Sequence, residues 1–254
     1  MFDLTPLLKA VLPADALAFF RQKGYRINFD LQDMRAQENQ AAFTVAKVMQ
    51  LDLLADIRTF VDAAIADGTT LAQFRKLLTP RLQDAGWWGR KVMTDPDTGE
   101  IRPVQLGSPR RLEIIYDTNL ATAYSEGQWE RIQRGKTLFP FLEYLHTSSN
   151  HPDPTHLTYV GFVGPVDDPF WQAHMPVRKW NCKCQVVQHN QRSLDREGLA
   201  VTQAPPEVMR QVVNRRTGEI MDVPAGVDPE FNYPPGGRRA NLDKLLQSKL
   251  PPQS

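Results

Sequence analysis

Chain-breaking residues are distributed unevenly, and that distribution limits the fold more than any single motif. Of the 20 prolines and 15 glycines, only Pro6, Pro13, Gly24 and Gly68 precede residue 79. Proline removes a helical N–H donor and glycine costs backbone entropy, so the first third can run in long helices while the remainder is cut into short pieces. Residues 13–24 place Leu17, Phe19 and Phe20 behind a proline and stop at Gly24, the pattern of a short helix with an aromatic face. From about Asp33 to Gly68 the pattern is helical, with Leu53, Ile57, Phe60, Val61 and Ile65 on one stripe. Gly68 ends that run and Thr69 or Thr70 supplies the next cap. Leu71, Phe74, Leu77 and Leu78 then form a second apolar face, up to an interruption expected at Pro80 and Gly86. Two antiparallel helices are predicted.

The remainder reads as short elements around one long helix. Apolar pieces flank Asp95 to Glu100 in residues 91–106, and the DPDTG between them supplies turn chemistry, which predicts a surface hairpin. Ser108 caps a helix with Pro109 at its first position, and Leu112, Ile115, Tyr116, Leu120, Ala123 and Tyr124 run down one side to about Arg134. Strands are expected at 141–146 and 184–189, a helical turn at 154–159, and a second hairpin at 212–224; the TGEI common to both hairpins is too short to count as a repeat. A Pro/Gly-rich linker from 232 leads to a small basic helix. The expected class is α+β: a mainly helical region over 1–137, a smaller β-containing domain over 138–200 suited to a structural metal, and a hairpin, linker and basic helix over 201–254.

Bulk composition excludes several classes. In 254 residues, 41% hydrophobic content suffices for a normal core. Thirty basic against 29 acidic side chains leave a formal charge of +1, which argues against a chain built mainly to neutralise phosphates. There is no run of about 18 apolar residues and no basic, apolar leader at the start, so the expectation is a chain made and kept in the cytoplasm with no membrane partner. Two cysteines two positions apart cannot make a disulfide scaffold and are expected reduced, buried or metal-bound.

Both cysteines end the stretch DDPFWQAHMPVRKWNCKC at 167–184. Thiolate and imidazole are the ligands of structural zinc, and His156, His174, Cys182 and Cys184 are the candidates. On a regular strand C-x-C leaves the two sulfurs two residues apart, so a shared ion requires local bending. The competing reading is two small buried cysteines beside a core histidine. Asp167 and Asp168 read as turn-formers, or as an acid/base pair with His151 or His156. Trp171 and Trp180 read as packing for the small domain, and Trp87 and Trp88 as core edge or partner-facing patch. No phosphate-binding loop, dinucleotide fingerprint, nucleophile elbow or H-E-x-x-H helix is present.

GSPRRLEIIYDTNLATAYSEGQWERIQR at 107–134 followed by PVDDPFWQAHMPVRKWNCKC at 165–184 resembles the phage Mu F-like minor head protein family, through Thr118, Ala123 and Gly127 of the helix, then Asp167, Asp168, Pro169, Phe170 and Trp171, then Trp180, Asn181 and the two cysteines. The likeness covers about 30–195 and is strongest over 105–190. His156 and Gly161 stand at the family's histidine and glycine. Ser149, His151, Asp153 and Val160 depart from its aspartate, two arginines and second histidine, which weakens any inherited enzymatic role. The resemblance implies a role in phage head morphogenesis, in the host cytoplasm during assembly and then in the virion head. It further implies docking on the portal protein or major capsid protein, with a homo-oligomer around the portal and weak DNA contact. Partner-facing surfaces are expected on the N-terminal helices and at Arg238, Arg239, Lys244 and Lys249, and the His/Cys set is expected to hold zinc. The alternative is a nuclease-like or toxin-like effector using His151, His156 and Asp168.

Overall fold

The computed structural model describes residues 14–33 and 36–237. The basic tail with Arg238, Arg239, Lys244 and Lys249 therefore lies outside the described residues. The chain is α+β, as its pattern predicts, with helices concentrated before residue 136 and short strands after it.

Helix α1 (Ala14–Arg21) and strand β1 (Gly24–Tyr25) lead to α2 (Ala36–Ala41) and β2 (Ala42–Phe43), then to α3 (Leu51–Asp67) and α4 (Leu71–Asp84). Gly68 closes α3 in the left-handed conformation, and Thr70 with Gln73 forms a reciprocal capping box on α4. Two expectations fail here. The helix predicted from 33 to 68 is broken between residues 42 and 50, because Phe43, Val45 and Val48 fill the core from an extended segment and Lys47 takes a positive φ of 67°. Periodicity alone cannot reveal this, since β1 pairs with β2 in parallel and the pairing is not local. Pro80 does not interrupt α4: Leu78 and Leu82 on either side are fully buried, and that packing outweighs the lost hydrogen bond.

The hairpin β3 (Arg90–Thr94) and β4 (Ile101–Gln105) precedes α5 (Pro109–Gly135), which starts at Ser108 with Pro109 as expected. Helix α5 threads both apolar clusters. Leu112, Ile115 and Ala123 join α1, α3 and α4 in the first; Trp129 and Ile132 belong to the second, with Leu142, Tyr144, Phe162, Phe170 and Trp171. Its Gly127 lets α1 approach closely, since a Cβ there would stand 2.6 Å from the backbone nitrogen of Ala16. Trp87 lies in the first core with its indole N–H on the Lys47 carbonyl at 2.8 Å, and Trp88 packs against the same cluster.

The second cluster rests on an antiparallel sheet ordered β6 (Val163–Pro165), β5 (Phe141–Leu145), β7 (Gln185–His189), with the short helices α6 (Pro154–Leu157) and α7 (Phe170–His174) and then α8 (Gln191–Glu197). The last hairpin, β8 (Met209–Val213) and β9 (Ile220–Pro224), repeats the first in detail. Asp95 and Asn214 each accept two turn amides on their side-chain oxygen, Gly99 and Gly218 each take a positive φ, and each places its N–H on the carbonyl five-residue turns begin with. Arg216 of the second turn binds Asp95 and Asp97 of the first, together with Asp33, so the two turns are tied by one guanidinium. A four-letter sequence match thus marks a true structural repeat.

Candidate metal centre

Three of the four expected ligands meet. His156 sits in α6, whose start is fixed by Pro154 and by Asp153: one carboxylate oxygen of Asp153 accepts the Thr155 and His156 amides at 2.8 and 3.4 Å, while the other accepts from Lys179 at 2.6 Å. Burial raises the Asp153 carboxyl, but Lys179 and the Thr155 amide outweigh it and hold it at about 2. Cys182 and Cys184 come from the turn before β7. Asn181 adopts φ 59°, a conformation asparagine tolerates, and the Cys182 amide closes onto the Lys179 carbonyl at 3.2 Å. This is the local bend that two sulfurs need to face one point.

The His156 Nδ1 lies 3.4 Å from the Cys184 sulfur and 3.8 Å from that of Cys182, and the three donor atoms all fall within 4.8 Å of one another. Gly226 fixes the imidazole from behind, its carbonyl 2.8 Å from Nε2. A carbonyl only accepts, so Nε2 carries the hydrogen and in the neutral ring Nδ1 presents its lone pair to the sulfurs, as in histidines whose far nitrogen is fixed by a carbonyl while the near one binds a metal. Tyr144 comes from β5, the strand that pairs with β7. Cys182 holds the Cys184 thiol below the usual range, aided by His156 and Tyr144 against burial, while hydrogen bonding to Cys184 and burial push Cys182 up. Burial lowers His156, but the Cys184 hydrogen bond and charge outweigh it and leave the ring raised. Two sulfurs and an imidazole suit zinc.

His174 does not join the group. Its ring centroid is 4.7 Å from both Tyr159 and Phe170, and burial, with Arg178 and His156 nearby, lowers it to about 4. It is an aromatic-core histidine. The D-D-P-F-W residues serve the fold and not the His/Cys group: exposed Asp167 accepts from Lys136 at 2.7 Å, Asp168 caps the Phe170 amide at 2.9 Å, and Pro169 opens α7. Phe170 and Trp171 are core, and the Trp171 indole donates to the Pro165 carbonyl at 2.9 Å. Trp180 packs edge-on against Phe231. His151 and His156 line one cleft, but Asp168 is not among its lining residues, so the candidate enzymatic trio does not converge. Tyr144, Gly226 and Lys179 were not legible as site residues. Tyr144 sits in an ordinary alternating strand, and Gly226 lies 70 residues beyond the histidine it orients.

The family model for Phage Mu protein F like protein matches residues 55–187, a span holding the long helix, the D-D-P-F-W block and His156, Cys182 and Cys184. The chain belongs to this family. Among curated relatives, a putative capsid assembly protein F from Escherichia phage Mu is 33% identical over 252 residues, covering 94% of this chain and 57% of the relative. A Mu-like prophage FluMu F protein from Haemophilus influenzae is 34% identical over 182 residues, covering 70% of this chain and 43% of the relative. The chain thus spans about half the length of these relatives. No solved structure gives a significant match. Within this F-like family, the expected helix of Thr118, Ala123 and Gly127 acquires a physical account: Ala123 and Gly127 face the first core and α1.

Proposed function

We propose that this F-like chain is a structural component of phage head assembly, with a zinc ion on His156, Cys182 and Cys184 clamping its second apolar cluster. The observation that carries the reading is the alignment of nearly the whole chain with the putative capsid assembly protein F of Escherichia phage Mu. The metal part is supported by placement: the three ligands join α6, the turn after α7 and the entry to β7, and Gly226 ties the second hairpin to them. A small aromatic cluster gains from such a clamp where burial alone is limited. In this reading the protein works in the host cytoplasm during assembly and remains in the virion head. It docks on portal or major capsid protein, oligomerises around the portal, and touches DNA weakly through the basic tail; among the described residues, no helix is long and apolar enough to cross a membrane.

Quantitative mass spectrometry of purified particles tests the role. A few copies per portal are expected, and a chain lacking residues 238–254 is expected at reduced occupancy. Absence of the chain from both particles and assembly intermediates would remove the proposal.

A further inference from the structure

We infer that a metal ion held by His156, Cys182 and Cys184 keeps one exchangeable coordination position, which faces the adjoining cleft and takes water or a small monodentate anion. This rests on the metal reading above and adds the number of ligands the protein itself supplies.

The inventory of donors carries the argument. All five histidines and both cysteines of the chain lie among the described residues. His189 is engaged by Glu143 at 2.9 Å and Ser193 at 3.1 Å, His146 by the Thr147 carbonyl at 2.8 Å, and His174 by the Tyr159 and Phe170 rings. The nearest carboxylate in sequence, Asp153, is occupied as a helix cap and by Lys179. Among the described residues His151 is the one histidine with no side-chain partner, and it sits exposed on the cleft wall rather than in the ligand group.

The imidazole is held from the side away from the sulfurs, by the Gly226 carbonyl at Nε2, whereas His156, Cys182 and Cys184 together line a cleft of about 550 Å³. Four protein ligands close a structural zinc site; three with solvent in the fourth place make an open one. Two thiolates and a neutral imidazole cancel the charge of a divalent ion, and the cleft walls set Arg110, Lys179 and Lys183 against Glu113, Asp117 and Asp153, so an entering anion is held by the ion itself rather than by a cationic wall. Arg110 and Lys179 already pair with Glu113 and Asp153, which favours small, weakly held anions over polyphosphates.

Cobalt substitution of the full chain under reducing, anaerobic conditions tests this. One cobalt per chain is expected, with thiolate charge-transfer absorption and visible d–d bands. Azide should shift the d–d bands along a single saturable isotherm while the charge-transfer absorption persists, and equal ionic strength from perchlorate should leave them unmoved. Bands that stay fixed at azide concentrations that leave cobalt bound would overturn the inference. So would azide sensitivity gained only in His151→Ala, which makes His151 the fourth ligand, or a changed spectrum in His174→Phe. A chain with no charge-transfer absorption, indistinguishable from Cys182→Ser/Cys184→Ser, overturns the metal reading itself.

Discussion

Replacing Gly127 by alanine pits two effects of opposite sign at one position in α5. A mid-helix glycine normally costs about 1 kcal/mol relative to alanine, so propensity alone predicts stabilisation. Here the added methyl would lie 2.6 Å from the backbone nitrogen of Ala16, 3.1 Å from its Cα and 3.2 Å from its Cβ. Backbone cannot swing aside as a long side chain does, so α1 must withdraw by roughly 0.5–1 Å, loosening the buried Ala16 and Phe20 and the edge-on contact of Phe20 with Phe43. Overpacking of this kind costs about 1–3 kcal/mol, and a backbone clash belongs to the upper part of that range. The net expectation is destabilisation by about 1–2 kcal/mol, a fall in Tm of roughly 2–8 °C for a chain this size. Gly135→Ala in the same helix is the control: its methyl would meet only the Gln188 amide at 3.7 Å, so it should be neutral or slightly stabilising. Urea unfolding followed by far-UV circular dichroism measures both. A Gly127→Ala chain as stable as the parent would refute a backbone-limited contact between α1 and α5.

Gly226→Ala should weaken zinc binding, because at φ 78° its methyl would stand 2.8 Å from Cδ2 of His156 and turn the ring off the sulfurs; competition with a chromogenic chelator should show a loss of about tenfold or more. His174 is kept neutral by burial, so as pH falls below 6.5 the unfolded chain takes up the proton first and stability declines until about pH 4. His174→Phe should flatten that decline in urea titrations across the same window, and an unchanged slope would show that other groups set it. Arg216→Met should release the two hairpin turns from each other, seen as faster hydrogen exchange over residues 95–100 and 214–219 with α3 and α4 unaffected. Exchange unchanged in both turns would mean that the guanidinium does not hold them.

What the sequence disclosed was what local chemistry determines. Ser108 with Pro109, Thr70 and Gly68 are end signals readable within a few residues, and these helix ends fall where expected, although α3 starts later and α4 runs further than their patterns predict. Cys182, Cys184 and His156 were readable from donor chemistry alone. What stayed hidden depends on distant partners. The extended segment at 42–50 pairs with β1 and fills a core that only tertiary structure defines. Asn181 sets the bend that brings the cysteines together, yet an asparagine in a loop is unremarkable by itself. His174 had the right chemistry in the wrong place, since the rings of Tyr159 and Phe170 claim it. The twin hairpins show the reverse case: TGEI is weak as text, but Asp95 and Asn214 carry the turn equally because either side chain offers the oxygen that two amides need.

Metal content of the purified full chain tests the centre most directly. Native mass spectrometry of protein produced with zinc available should show one zinc per chain, lost in Cys184→Ser and in His156→Ala and retained in His174→Phe. A parent chain that carries no zinc, or a zinc that depends on His174, would contradict the Cys182, Cys184 and His156 assignment.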